Sequence, residues 1–218
     1  MLKAVIFDMD GVLVDSEKEY LRMWKKYYYT NGIDISEEEL RTICGSPHSY
    51  EIELLARKAG ICYEKAAKLR SEYLNRNKID YRKIKKPHVD EILAYIRNQG
   101  LKTALASTST FENINAALNE CEIADRFDFI ISGEMFKRSK PDPQIYETTV
   151  RKLGCSKKEV LVIEDSDYGI QAAKAAGLTV IAIDDPVLKF DNHLADYIVK
   201  DLAETKEILK EHVSLNIP

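Results

Sequence analysis

The chain has 218 residues, 45% hydrophobic and 31% charged, with a formal net charge of −4 at pH 7, an ordinary globular composition that suits one large domain or a core with a modest insertion. The slight negative balance supplies no basic field for nucleic acid, and no apolar run approaches the roughly 18 residues of a membrane span. Cys44, Cys62, Cys121 and Cys155 form no CxxC pair and match no zinc spacing, so the expectation is a reduced, cytoplasmic, monomeric protein with neither nucleic acid nor membrane as partner.

In chain order, a short apolar, β-branched run at 4–7 predicts a first strand, and similar runs follow at 103–106, 129–131, 160–163, 179–183 and 197–199. Continuous apolar runs of this length suit strands buried on both faces, as in a parallel sheet. Residues 17–83 interrupt the series with helical stripes instead. Tyr20, Trp24, Tyr27 and Tyr28 share one, and Ile52, Leu55, Ala56 and Ala59 share another. At this spacing an aromatic stripe is read as core before it is read as a cofactor pocket. Lys85-Lys86-Pro87 marks the return, because proline biases its predecessor away from helix. Val89, Ile92, Leu93 and Ile96 then follow the i, i+3, i+4, i+7 pattern, with Gly100 as a stop, and a helix through 171–176 ends at Gly177. The alternation predicts an α/β fold: a doubly wound parallel-sheet (Rossmann-like) core from residues 1–16 and 84–218, with an all-α insertion, 17–83, after the first strand.

The candidate chemistry sits where these runs end. Asp8 and Asp10 follow the first strand at i and i+2, with Gly11 free to turn the backbone or admit a ligand. Open α/β sheets bind ligands at that edge, although Asp and Gly also form ordinary turns. Ser107 and Thr108 follow the second run; their hydroxyls and nearby amides suit phosphate oxygens, or a helix cap. Lys140, in Ser139-Lys140-Pro141, can neutralise an anion or stand before a helix. Glu164 and Asp165 end the fourth run and are oxygen ligands of the kind magnesium prefers, or a helix cap.

Asp8-x-Asp10-Gly11-Val12, Ser107, Lys140-Pro141 and Glu164-Asp165-Ser166, in that order, resemble the four motifs of the haloacid dehalogenase superfamily of phosphatases. The insertion resembles its small helical cap, and the nearest branch is the β-phosphoglucomutase-like one. The resemblance covers nearly the whole chain. It implies a small-molecule phosphate ester as substrate, Mg2+ as cofactor, Asp8 as nucleophile and Asp10 as acid and base. It further implies Ser107, Thr108 and Lys140 around the phosphoryl group, and a metal held by Asp8, the Asp10 carbonyl, Glu164 and Asp165. Asp10 separates phosphate-ester members from branches with another residue there. His48 stands in Cys44-Gly45-Ser46-Pro47-His48, where mutases of the family carry an arginine for a second phosphate. Hydrolysis of a sugar phosphate is therefore the expectation, with a mutase as the alternative; a non-catalytic binder that kept the fold stands further off. Pro87-His88 replaces the family's usual Pro-Gly and is expected to stiffen the return to the core.

Overall fold

The computed structural model describes residues 1–43, 46 and 48–214. Cys44, Gly45 and Pro47, and the side chain of His48, lie outside that description, so the expected substrate role of His48 meets no structural observation. The chain divides into two compact units, residues 1–15 with 81–218 and residues 16–80.

Residues 16–80 are helical: α1 (Ser16–Thr30), α2 (Glu37–Arg41), α3 (His48–Ala59) and α4 (Tyr63–Arg76). The aromatic stripe of α1 is their core. Trp24, Tyr27 and Tyr28 are buried with Leu54 and Leu55. The Trp24 and Tyr27 rings meet edge to face at 5.5 Å, and Tyr27 meets Tyr73 of α4 at 4.7 Å, the geometry that ring quadrupoles favour. Ile52, Ala56 and Ala59 of α3 pack against the same cluster.

The larger unit alternates. β1 (Ala4–Phe7) is followed, after the helical unit, by α5 (Tyr81–Ile84), α6 (Val89–Asn98), β2 (Lys102–Ser107), α7 (Phe111–Glu120) and β3 (Phe129–Ser132). Then come α8 (Gln144–Leu153), β4 (Val160–Glu164), α9 (Asp167–Ala175), β5 (Thr179–Ile183), β6 (Tyr197–Val199) and α10 (Leu202–Ser214). All pairings are parallel, in the order β3-β2-β1-β4-β5-β6. The central strands are mostly apolar because helices cover both faces. On one face, Ala4, Ile6, Ala104 and Ala106 join Tyr146 and Val150 of α8 and Ile170 and Ala173 of α9. Among the described residues no helix is long and apolar enough to cross a membrane.

The order positions the site. From β1 the chain runs outward to β2 and β3, then crosses back to β4 on the other side of β1. Phe7 is level with Leu105 and with Ile163, so Asp8, Ser107 and Glu164 emerge together at the carboxyl edge, where such a reversal opens a crevice.

Where the chain re-enters the core, Val14 and Lys85 form an antiparallel bridge, and the Lys86 N–H donates to the Leu13 carbonyl. His88, just before α6, sits in the left-handed region at φ 66°. Only glycine takes that conformation freely, and other residues bear a cost of about 1–2 kcal/mol there. Replacing His88 by glycine relieves it. We expect His88→Gly to raise the thermal midpoint by about 2–4 °C in a calorimetric scan; an unchanged or lower midpoint contradicts the strain.

Candidate active site

The loop after β1 is built around one glycine. The ladder continues one residue beyond β1, with the Asp8 N–H donating to the Ile163 carbonyl at 3.0 Å. The chain then curls: the Met9 carbonyl accepts the N–H groups of Val12, Leu13 and Val14, and Gly11 N–H donates to Val14. Gly11 has φ 76°, and a Cβ there would fall 1.7 Å from Asp165 Oδ2. The glycine both makes the turn and leaves room for the carboxylate of Asp165, just past β4. Lys86 Nζ donates to the Gly11 carbonyl at 2.6 Å, holding the turn from outside.

Lys140 lies at the centre of the buried charge. Its ammonium donates to Asp8 Oδ1 at 2.6 Å, to Glu164 Oε1 at 2.7 Å and to the Ala106 carbonyl at 3.1 Å. An ammonium has three hydrogens, and all three are taken by the protein. The Lys140-Pro141 peptide is cis. Glu164 is fully enclosed. Its Oε1 also accepts the Tyr146 hydroxyl at 2.7 Å, and its Oε2 accepts the N–H of Asp165, the N–H of Ser166 and the Ser166 hydroxyl. Ser166 caps α9 by accepting from Gly169 N–H. A Cβ on Gly169 would fall 1.7 Å from Glu164 Oε1, so a second glycine makes way for a second carboxylate.

Asp10, partly exposed, is held by hydroxyls. Ser109 Oγ donates to Asp10 Oδ2 at 2.7 Å, and Ser107 Oγ lies 3.4 Å from the same oxygen. Ser107 is fully buried and also accepts the Ser109 N–H. Ser132, at the end of β3, donates to the Ser109 carbonyl at 2.6 Å. Thr108 is exposed at the tip of this loop, and Thr110 caps α7 by accepting from Asn113.

Asp8, Asp10, Ser107, Lys140, Glu164 and Asp165 thus share one edge of the sheet, with Thr108 at its rim. Sequence reasoning passed over Ser109, Tyr146 and Gly169. Ser109 sat inside a serine-threonine run with no mark of its own, and Tyr146 reads as an apolar position of α8. The first-turn glycine of α9 was a usable signal, since helix interiors disfavour it.

Burial pushes the Asp8 carboxyl up to about 8, with Lys140 opposing and Glu164 and Asp10 adding to the rise. For Lys140, burial disfavours the charge, but Asp8 and Glu164 outweigh it and hold the ammonium well above the usual lysine value. For Glu164, burial acts upward and is overcome by Lys140, leaving the carboxyl below its ordinary value. One ammonium therefore serves a cluster of buried carboxylates.

That surplus of negative charge is the test of fit for a cation. Oxygens of Asp8, Glu164 and Asp165 lie within 4.8 Å of one another, all on buried residues. Carboxylate-only donor sets suit hard divalent cations such as magnesium.

A family model described as haloacid dehalogenase-like hydrolase matches residues 5–183. The chain is 30% identical over 187 residues to a phosphorylated carbohydrates phosphatase of Thermotoga maritima, covering 81% of this chain and 82% of that protein. It is 30% identical over 226 residues to the β-phosphoglucomutase of Bacillus subtilis, covering 96% and 95%. The crystal structure of β-phosphoglucomutase from Clostridium difficile superposes with a TM-score of 0.78 at 26% identity, covering 98% of each chain.

Two outcomes follow from the enclosed carboxylates. Helix propensity alone favours Gly169→Ala by about 1 kcal/mol, but its methyl overlaps Glu164. We expect a loss of about 1–3 kcal/mol in denaturant unfolding; a gain contradicts the close approach. The second concerns pH. The folded protein keeps a proton on Asp8 that the unfolded chain releases above 3.8, so this group's contribution to stability falls as pH rises from about 4 to about 8. In chelator-treated protein, the wild type should lose thermal stability over that window relative to Asp8→Asn; parallel curves contradict it.

Proposed function

The chain belongs to the haloacid dehalogenase-like hydrolases, and from that premise we propose that it is a magnesium-dependent phosphatase of small phosphorylated carbohydrates, working through an aspartyl phosphate on Asp8. The observation that carries the reading is the buried Asp8 carboxylate, fixed through Oδ1 by Lys140 at 2.6 Å.

With Oδ1 engaged, Oδ2 of Asp8 is the attacking oxygen. It forms a bond to phosphorus as the bond to the ester oxygen breaks, which divides one difficult displacement into two easier ones. Asp10 gives its proton to the departing oxygen; the hydroxyls of Ser109 and Ser107 steady its carboxyl through Oδ2. Asp10 then takes a proton from the water that attacks the phosphoenzyme, releasing phosphate and the Asp8 carboxylate. Ser107 and Thr108 receive the phosphoryl oxygens. Asp8, Asp165 and the Asp10 carbonyl would hold magnesium, which when bound supplies the charge compensation that an anion attacking an anion requires. Glu164, whose two oxygens already accept protein donors, serves as the anchor of Lys140. Lys140, with its three hydrogens committed, acts on Asp8 and not on the phosphate.

Hydrolysis is favoured over isomerisation by the loop at 107–112, Ser-Thr-Ser-Thr-Phe-Glu, which offers no lysine or arginine for a second phosphate, whereas a mutase grips two. The carbohydrate class is supported by the relative that is a phosphorylated carbohydrates phosphatase. The mutase reading draws on the β-phosphoglucomutase relative.

A panel of sugar phosphates with and without magnesium tests the proposal. We expect magnesium-dependent phosphate release, falling at least about a thousandfold in Asp8→Asn and about a hundredfold in Asp10→Asn. From β-glucose 1-phosphate the product should be free phosphate; glucose 6-phosphate as main product would make the protein a mutase. Normal hydrolysis by Asp8→Asn contradicts the assignment.

A further inference from the structure

Lys140 is buried, and one wall of its surroundings takes no part in the chemistry described above. Tyr146, on the first turn of α8, is wholly buried. Its ring centroid lies 4.9 Å from Lys140 Nζ, and its hydroxyl donates to Glu164 Oε1 at 2.7 Å. Lys140 donates to that same oxygen, also at 2.7 Å. Two donors of different strength thus share one acceptor, and the lysine's remaining carboxylate partner is Asp8.

We propose that Tyr146 is a positioning residue that sets how Lys140 is shared between Glu164 and Asp8. The hydroxyl takes up part of the acceptor capacity of Oε1, while the other donors occupy Oε2. Glu164 is thereby restrained from drawing the ammonium wholly to itself. The ring adds a non-bonding wall whose negative face favours the cation. Without the hydroxyl, Oε1 has only the ammonium, the lysine shifts toward Glu164, and Asp8 Oδ1 loses its donor. The effect reaches the reaction through Asp8, so it falls on the chemical step. Tyr146 lies inside the core among Ala106, Ile131 and Val162 and belongs to no substrate surface.

The inference rests on the phosphatase reading for its kinetic consequence but not for its structural one, and the test uses both. Tyr146→Phe keeps the ring and removes only the hydroxyl. In the magnesium-loaded protein, kcat on the best sugar phosphate should fall about tenfold, the lower end for one hydrogen bond to a charged group, with KM within about twofold. In 15N-lysine-labelled protein, the Lys140 ammonium, assigned through Lys140→Arg, should give a slowly exchanging signal that moves and exchanges faster in Tyr146→Phe. An unchanged kcat overturns the proposal, and so does a lowered kcat with an unmoved Lys140 signal. A wild-type protein with no phosphatase activity defeats the functional reading instead, and the ammonium signal still decides whether Tyr146 governs Lys140.

Discussion

The structure depends on the buried ammonium of Lys140. Lys140, a buried residue, donates to Asp8 at 2.6 Å and to Glu164 at 2.7 Å. Isolated charges in a protein interior are costly, and they persist only when paired and hydrogen-bonded. Here the pairing ties together residues from three elements far apart in sequence: the end of β1, the segment before α8 and the end of β4. Removing Lys140 leaves two buried carboxylates without their cation. Burial, with Glu164 and Asp10 adding to it against Lys140, raises Asp8 in the protein alone, and the clustered carboxylates of Asp8, Glu164 and Asp165 suit a divalent cation. A protein selected only for stability would fill this space with apolar side chains; the retained charge is what a phosphoryl-transfer site requires.

The backbone prepares this cluster before any side chain acts. A parallel sheet whose order reverses beside β1 brings three strand ends level, and each carries its polar residues one or two positions past the last apolar one. Gly11 and Gly169 then clear the volume that the Asp165 and Glu164 carboxylates fill. These two positions are as much part of the site as the acids, since a methyl group at either would occupy the place of a carboxylate oxygen. Hydroxyls complete the second half: Ser132 holds the Ser109 carbonyl, Ser109 holds Asp10, and Ser107 lies beneath both.

Much of this was legible in the sequence. The six strands are visible as short apolar runs because both faces of the sheet are largely covered, which leaves polar residues mainly at strand ends. The aromatic stripe of α1 is visible because helical spacing places Trp24, Tyr27 and Tyr28 on one side, where they form the core of residues 16–80. Acidic residues at strand ends are legible for the same reason, since they interrupt an otherwise apolar pattern. What the sequence does not display is the use each polar group makes of its hydrogen bonds. Lys140 reads as a phosphate-binding lysine, and the sequence does not show that it donates to Asp8, Glu164 and the Ala106 carbonyl. Glu164 belongs to the acidic cluster that could hold a cation, and the sequence does not show that its two oxygens also accept five donors. Tyr146 looks like any apolar position of an amphipathic helix, and its hydroxyl acquires meaning only through an acceptor 18 residues away. His88 shows the same limit in the backbone, because nothing in its side chain announces a left-handed φ.

The central claim is that the phosphoryl group passes through Asp8, and chemical trapping addresses it without reference to rate. Magnesium-loaded protein is mixed with a turning-over sugar phosphate, quenched in acid within milliseconds, digested at low pH and mapped by mass spectrometry. The account predicts a phosphorylated peptide spanning β1 and its loop, with the added mass on Asp8 and none on Asp10. A phosphoryl group found on another residue, or rapid turnover with no phosphoenzyme at any quench time, would contradict it.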